Sequence, residues 1–275
     1  MSEIVFAGGV PHNPFFPQIV AGGGDGASEL QRLYGAVGER LRAAAPDAVI
    51  VFTTDHYNAF FDVSVPIFSI CTADSAPGPS DYPELTQFRV ALDAELAAEL
   101  QTRLVEAEFD VGRSQEIGLD HTITAPLSLM VPGIDIPLVP FFISGTQRPI
   151  PSARRCRALG AALAEALRAS ILPRRVALIA SGAFSFDVGG PRISKSMHVG
   201  VPAPQWGDRV VALLREARID ELVAESTPEQ LVSAGNAAGE ILNWIVMLGA
   251  LEPRAPDFVE QQRDEGHAFA AWSVG

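Results

Sequence analysis

Cysteine is nearly absent: Cys71 and Cys156 are the only two among 275 residues. Two widely separated cysteines make neither a disulfide framework nor a C-x-x-C metal site. They read as core thiols in a reducing compartment. Positive charge is also scarce, with 20 Lys and Arg against 33 Asp and Glu, a net charge of −13 and a pI near 4.8. No Lys/Arg cluster supplies the basic footprint of a nucleic-acid binder, and the acidity speaks for solubility and not for fold. No apolar stretch reaches the ~18 residues of a membrane-spanning helix. The opening MSEIVFAGGVPHNP has no basic leader, and Gly and Pro interrupt its short apolar run, so no signal peptide or anchor is expected and the location expected is cytoplasmic. Gly22-Gly23-Gly24 lacks the G-x-G-x-x-G spacing and a preceding strand, and no G-x-S-x-G nucleophile elbow occurs.

What is present is a well-buried globular composition, 48% hydrophobic and 19% charged. No repeat, low-complexity tract or linker divides the chain, so residues 1–275 read as one domain of the α/β class. Ile4–Ala7 reads as a short strand stopped by Gly8-Gly9, and Ala48–Phe52 as a central strand covered on both faces. Val65–Cys71, Pro137–Ile143 and Val176–Ala180 complete the predicted strands. Helices are predicted over Ser28–Ala45, Pro83–Glu108, Ala153–Ser170 and Gln205–Glu216. A last helix runs from Thr227 to Leu248, with a break near Gly235 and with Gly249 as its cap.

Five histidines in such a chain make their placement informative. His12, in Pro11-His12-Asn13-Pro14, cannot lie in regular structure because both prolines restrict their neighbours, so it follows the first strand on a loop. His56 follows the second strand in the same way. Loops at strand ends are where α/β proteins place ligand-binding groups. Glu240 sits among Ala237, Ala238, Ile241, Leu242, Trp244 and Ile245. A carboxylate on so apolar a surface is costly to bury without a partner, and a metal is one such partner. Two imidazoles and one carboxylate leave a cation with open positions. Composition alone does not select this trio over solvated loop histidines and a solvated helix glutamate.

Ordered motifs add the rest. They are Pro11-His12-Asn13-Pro14; Thr53-Thr54-Asp55-His56-Tyr57-Asn58-Ala59-Phe60; Asp120-His121-Thr122 leading to Pro126-Leu127-Ser128; Ala180-Ser181-Gly182-Ala183-Phe184-Ser185 with Gly190-Pro191-Arg192; and Gly239-Glu240 followed by Trp244 and Gly249-Ala250-Leu251. In this order and spacing the chain resembles the class III extradiol ring-cleavage dioxygenases, the superfamily of the protocatechuate 4,5-dioxygenase catalytic subunit. The resemblance implies a central, mixed but mostly parallel sheet sandwiched between helical layers. It implies Fe(II) held by His12, His56 and Glu240, with a catecholic or related ortho-hydroxylated ring and O2 as substrates. It also implies a homo-oligomer, in some members with a small accessory subunit. His121 matches one of two family histidines that orient substrate and relay protons.

The second family histidine is missing. It belongs to a Gly-Gly-x-Ser-His motif, and here the stretch reads Gly182-Ala183-Phe184-Ser185-Phe186. A phenyl ring cannot move a proton. Three accounts stay open: a substrate that needs less help with deprotonation, a substitute base for which His198 is the candidate, or a weakly active paralogue that keeps the metal. Ser185 and Phe186 are expected in the substrate pocket, where an aromatic face suits a planar ring. Thr54 is a candidate substrate contact or a capping hydroxyl, and Arg192 a candidate for an anionic substrate or a turn arginine. Asp55 is expected to orient His56, and His267 is read as non-catalytic. The alternatives to a dioxygenase are an accessory metal-binding paralogue and a metal-dependent hydrolase on the same His/His/Glu site.

Overall fold

The computed structural model describes residues 1–82, 85–189, 192–193 and 198–274. The N-terminal part runs β1 (Glu3–Val10), α1 (Phe16–Gly22), α2 (Asp25–Ala43), β2 (Ala48–Thr53), β3 (Phe68–Cys71), β4 (Ser75–Gly78) and β5 (Phe88–Ala91). The middle runs α3 (Ala94–Glu106), β6 (Val111–Ser114), α4 (His121–Met130), β7 (Leu138–Ile143), α5 (Ala153–Ala169), β8 (Arg175–Ser181), β9 (Asp187–Val188) and β10 (Val199–Gly200). The C-terminal part runs α6 (Pro204–Arg215), α7 (Ile219–Glu225), α8 (Pro228–Ala234), a 3-10 turn (Ala238–Glu240), α9 (Ile241–Gly249), β11 (Phe258–Gln262) and β12 (His267–Ser273).

Eight strands form one sheet in the order β11-β12-β1-β8-β2-β7-β3-β6. Its centre, β1-β8-β2-β7, is parallel throughout. β3 runs antiparallel to β7, β6 parallel to β3, and the β11-β12 hairpin adds antiparallel to β1. This is the mixed, mostly parallel α/β sheet expected. Side chains alternate across it as the pleat requires. Ala48, Ile50 and Phe52 of β2 join Val176, Leu178 and Ala180 of β8 in one core with α3, α5, α6 and α9. Val49 and Val51 join Ala177 and Ile179 in the opposite core, with α2 and α4. Both cysteines are free and buried in these cores.

Three sequence expectations change. Strand β1 does not stop at Gly8-Gly9 but continues to Val10. The glycines are there for space: a Cβ on Gly9 would fall 2.2 Å from the Trp244 ring, so β1 carries no side chain where that ring, reaching over from α9, lies against it. The long helix predicted from Pro83 begins only at Ala94, capped by Asp93, which accepts from the Leu96 amide at 3.0 Å. Phe88–Ala91 instead pairs with Ser75–Gly78 as a hairpin, while residues 83–84 lie outside the described ones. The last predicted helix is split by more than a kink. Helix α8 ends at Gly235, and Glu240 closes a separate 3-10 turn before α9, not the second half of a continuous helix. Helix α4 and the β11-β12 hairpin were not foreseen at all.

Candidate metal centre

His12 lies two residues beyond β1, and His56 three beyond β2. Strand β8 runs between these two, so both histidines stand at the carboxyl ends of parallel neighbours. The Tyr34 hydroxyl donates to the Pro11 carbonyl at 2.8 Å and ties the His12 loop to α2. Ser181, the last residue of β8, donates its hydroxyl to the Thr122 carbonyl at 2.6 Å. Its oxygen, 2.9 Å from His12 Nδ1, is therefore left to accept. That puts the His12 proton on Nδ1 and leaves the Nε2 lone pair facing inward.

Glu240 receives both rings. Its Oε1 is 3.0 Å from His56 Nε2 and 3.3 Å from His12 Nε2. Its Oε2 accepts from the Ala183 amide at 2.8 Å. Gly182 makes room for this approach: its φ is +154°, and a Cβ there would lie 2.5 Å from the Glu240 Cβ. Glu240 is only 2% exposed. Burial alone would push its carboxyl up, but His12 and His56 together hold it well below the usual carboxylate range. Burial likewise opposes the charged form of His56, yet Glu240, Asp120 and Asp55 together outweigh burial and raise the imidazole to about 9. For His12 burial prevails and lowers it. Two imidazole nitrogens and a deeply buried, charged carboxylate oxygen thus meet at one point, which is the chemistry of a divalent-cation site.

His121 is the first residue of α4, whose cap Asp120 accepts from the Thr122 amide at 3.1 Å. Its Nδ1 donates to Asp81 Oδ2, and its backbone amide donates to Asp81 Oδ1 at 3.0 Å. Its ring centroid is 5.4 Å from that of His12 and 5.1 Å from that of His56. One ring nitrogen each of His12, His56 and His121 lies within 4.8 Å of the others.

These groups open onto a cavity of about 460 Å³ whose wall includes every histidine in the chain: His12, His56, His121, His198 and His267. Phe186 also lines it. His198 is exposed at its edge, its carbonyl accepting from the Gly189 amide at 2.7 Å. Residues 190–191 and 194–197, which include the Gly190-Pro191 landmark and the Lys195–Met197 loop segment, lie outside the described residues. His267 is buried on the wall with Nε2 2.7 Å from Gln262 Oε1, and burial pulls its pKa down to about 3. It is therefore a neutral part of the cavity and not a remote C-terminal residue.

Four sequence candidates stand elsewhere. The Thr54 hydroxyl is buried against the Asn243 amide at 3.3 Å. Ser185 donates to the Ala234 carbonyl and accepts from the Ala203 amide, each at 2.9 Å, joining three segments behind the cavity. Arg192 grips both oxygens of Asp187 at 2.7 Å and gives its remaining nitrogen to the Val232 and Ser233 carbonyls. Asp55 accepts from the amides of Asn58, Ala59 and Phe60 at 2.8–3.1 Å, so it shapes the turn after His56 in place of holding its ring. In turn, Asp81 lies in no motif, and nothing in the Ala180–Ser185 stretch marks Ser181 as the partner of His12. Neither belongs to a periodic pattern, and only the fold brings them to His121 and His12.

The catalytic LigB subunit of aromatic ring-opening dioxygenase matches as a family over residues 7–273. A 2,3-dihydroxyphenylpropionate/2,3-dihydroxicinnamic acid 1,2-dioxygenase of Paraburkholderia xenovorans (strain LB400) is 28% identical, over 87% of this chain and 84% of its own length. The protein of the same name from Escherichia coli O139:H28 is 27% identical, over 81% and 82%. The crystal structure of an uncharacterized protein from Escherichia coli K12 shares the fold, with a TM-score of 0.59 at 18% identity, covering 97% of this chain and 98% of that one. A family match spanning nearly the whole chain, over a site of two histidines and a buried glutamate at the ends of parallel strands, makes this chain a member of the aromatic ring-opening dioxygenase family of the catalytic LigB subunit.

Proposed function

We propose that this protein is a non-haem Fe(II)-dependent extradiol dioxygenase that opens a catecholic or related ortho-hydroxylated ring with O2. The observation carrying the reading is the meeting of His12 Nε2 and His56 Nε2 on one oxygen of buried Glu240. Those three residues are the proposed ligands. When bound there, Fe(II) supplies open positions for two adjacent substrate oxygens and for O2 and passes charge between them.

The chain's own residues do the rest. Ser181 fixes the His12 tautomer, so Nε2 is available without loss of a proton. The Ala183 amide holds the far oxygen of Glu240 and keeps the near one aimed at the histidines. His121, with Nδ1 committed to Asp81, turns Nε2 into the cavity and there takes or returns the proton of a substrate hydroxyl. Phe186 offers a flat apolar wall to the ring and no proton path. His121 is therefore the principal proton carrier, and His198, at the edge, is a less favoured substitute for the missing second histidine.

Two free, buried thiols fit work in the cytoplasm, and no helix among the described residues is long and apolar enough to cross a membrane. The reading includes a homo-oligomer, with or without a small accessory subunit.

The test is anaerobic purification, metal analysis and O2 uptake with catechol, protocatechuate, gallate and aminophenol. Iron with substrate-dependent uptake is expected. Zinc together with no uptake from any of them would sink the reading in favour of a hydrolase on the same donor set.

A further inference from the structure

The floor and the mouth of the cavity differ in chemistry. Glu240, His12 and His121 are deep and polar, with side chains no more than 11% exposed. Around and above them stand Phe15, Phe16, Tyr82, Phe186, Val188 and Val199. Three of these are apolar side chains left open to solvent: Phe15 is 51%, Val188 55% and Val199 38% exposed. The aromatic part of this wall is ordered by edge contacts, with Phe15 and Tyr82 centroids 5.8 Å apart and Tyr82 the same distance from His121. Apolar side chains lining a cavity with a polar floor mark a surface suited to an apolar part of a ligand.

Among the described residues lining the cavity there is no arginine and no lysine. Arg192, the nearest sequence candidate for an anionic group, spends its guanidinium on Asp187, Val232 and Ser233. The acids on the wall are Asp81, Glu240 and Glu265, and the first two are engaged with histidines. An anionic substituent in the outer cavity would lose water and meet no arginine or lysine among the described residues, beside an exposed Glu265 and in a chain of net charge −13.

We infer that the natural substrate is a catechol carrying an uncharged apolar substituent, alkyl or aryl, and not a carboxylate-bearing ring of the kind named for the curated relatives. This rests on the dioxygenase reading and narrows it. The polar floor takes the adjacent hydroxyls, and the substituent then meets the apolar wall.

The chain's single lysine, Lys195, lies outside the described residues, so it enters the test as a variant. Binding to the Fe(II)-loaded protein is measured by anaerobic calorimetry at pH 8, where an ordinary histidine is neutral. The ligands are 3-phenylcatechol, 3-propylcatechol, 3-(2-carboxyethyl)catechol and 3-(2-aminoethyl)catechol. The neutral pair is expected to bind at least about tenfold more tightly than either charged one, in the wild type and in Lys195→Met alike, a difference of about 1.4 kcal/mol. Val188→Arg, on the exposed rim, is expected to weaken 3-propylcatechol and to improve carboxylate binding, shifting the ratio of the two at least about tenfold toward the carboxylate. Equal binding of all four, or a preference for either charged ligand, overturns the inference while leaving the dioxygenase reading standing. A protein that takes up iron but binds none of the four catechols overturns both.

Discussion

His121 and Asp81 are joined twice: the histidine Nδ1 donates to one carboxylate oxygen, and its own backbone amide donates to the other at 3.0 Å. The amide bond holds the carboxylate in place, and turning the ring would break the Nδ1 bond, so Nδ1 stays on Asp81 and Nε2 is left free for the cavity. A residue from a loop forty positions earlier in the chain thereby sets the orientation of the proposed proton carrier.

Asp81→Asn should therefore lower kcat by about 10–100-fold, since the ring loses its anionic partner but keeps a neutral one. His121→Ala should lower it further, by about 10²–10⁴-fold. Iron content measured by plasma emission should be unchanged in both. Loss of iron from His121→Ala would mean that His121 is itself a ligand, and the assignment of the trio would have to be redrawn.

Glu240→Gln preserves shape and removes charge. It should reduce iron affinity by at least about 100-fold, more than the loss of an outer hydrogen-bond partner, and Gly182→Ala should act in the same direction by pushing the Glu240 side chain away. Metal titration with a competing chelator reads both. Full iron occupancy in Glu240→Gln would remove the carboxylate from the ligand set.

The seating of the Trp244 ring on Gly9 gives a stability prediction. Gly9→Ala places a methyl inside the Trp244 ring contact and should destabilise the fold by about 1–3 kcal/mol or more. Gly22→Ala, where a Cβ meets nothing within 4 Å, is the control and should stay within about 0.5 kcal/mol. Urea unfolding of the three proteins decides it, and equal midpoints would contradict the close seating of Trp244 on Gly9.

His267 gives the pH dependence. Burial lowers its pKa from 6.5 to about 3 in the folded chain. Between those values the unfolded chain binds a proton that the native chain refuses, so stability falls as pH falls. From pH 7 to pH 5 the loss from this one group is about 2 kcal/mol. Urea unfolding of the metal-free protein at both pH values should show a correspondingly smaller loss in His267→Gln. An identical loss in the variant would show that His267 is not the group responsible.

The reach of the sequence is clearest at particular elements. Ala48–Phe52 is continuous, apolar and β-branched in part, and it forms the predicted central strand, because burial on both faces leaves its mark in every residue. The stretch after Pro83 misleads. Its many helix formers, among them Leu85, Leu92, Leu96 and Leu100, outweigh the local signal for strand over Phe88–Ala91, whose pairing with Ser75–Gly78 is tertiary. Gly8-Gly9 reads as a strand end because glycine weakens strands in isolation. Here its missing side chain is what makes room for the Trp244 ring. Arg192 and Thr54 drew notice for their chemistry, yet each has a structural partner that no local pattern announces.

By itself the sequence determined the α/β class, the strand-then-histidine placement of His12 and His56, and an apolar setting that makes Glu240 costly to leave unpartnered. These are local properties, carried by prolines, by hydrophobic runs and by the order of motifs along the chain. Only the tertiary structure decided which atoms meet. It set both Nε2 atoms on one oxygen of Glu240, gave His121 its Asp81 and His12 its Ser181, and gathered all five histidines around one cavity. The reason is that the strands bearing these residues are neighbours in the sheet but distant in sequence. Directional bonds and the sign of charge around a cavity are set by which strand ends lie side by side, and no window along the chain contains that information.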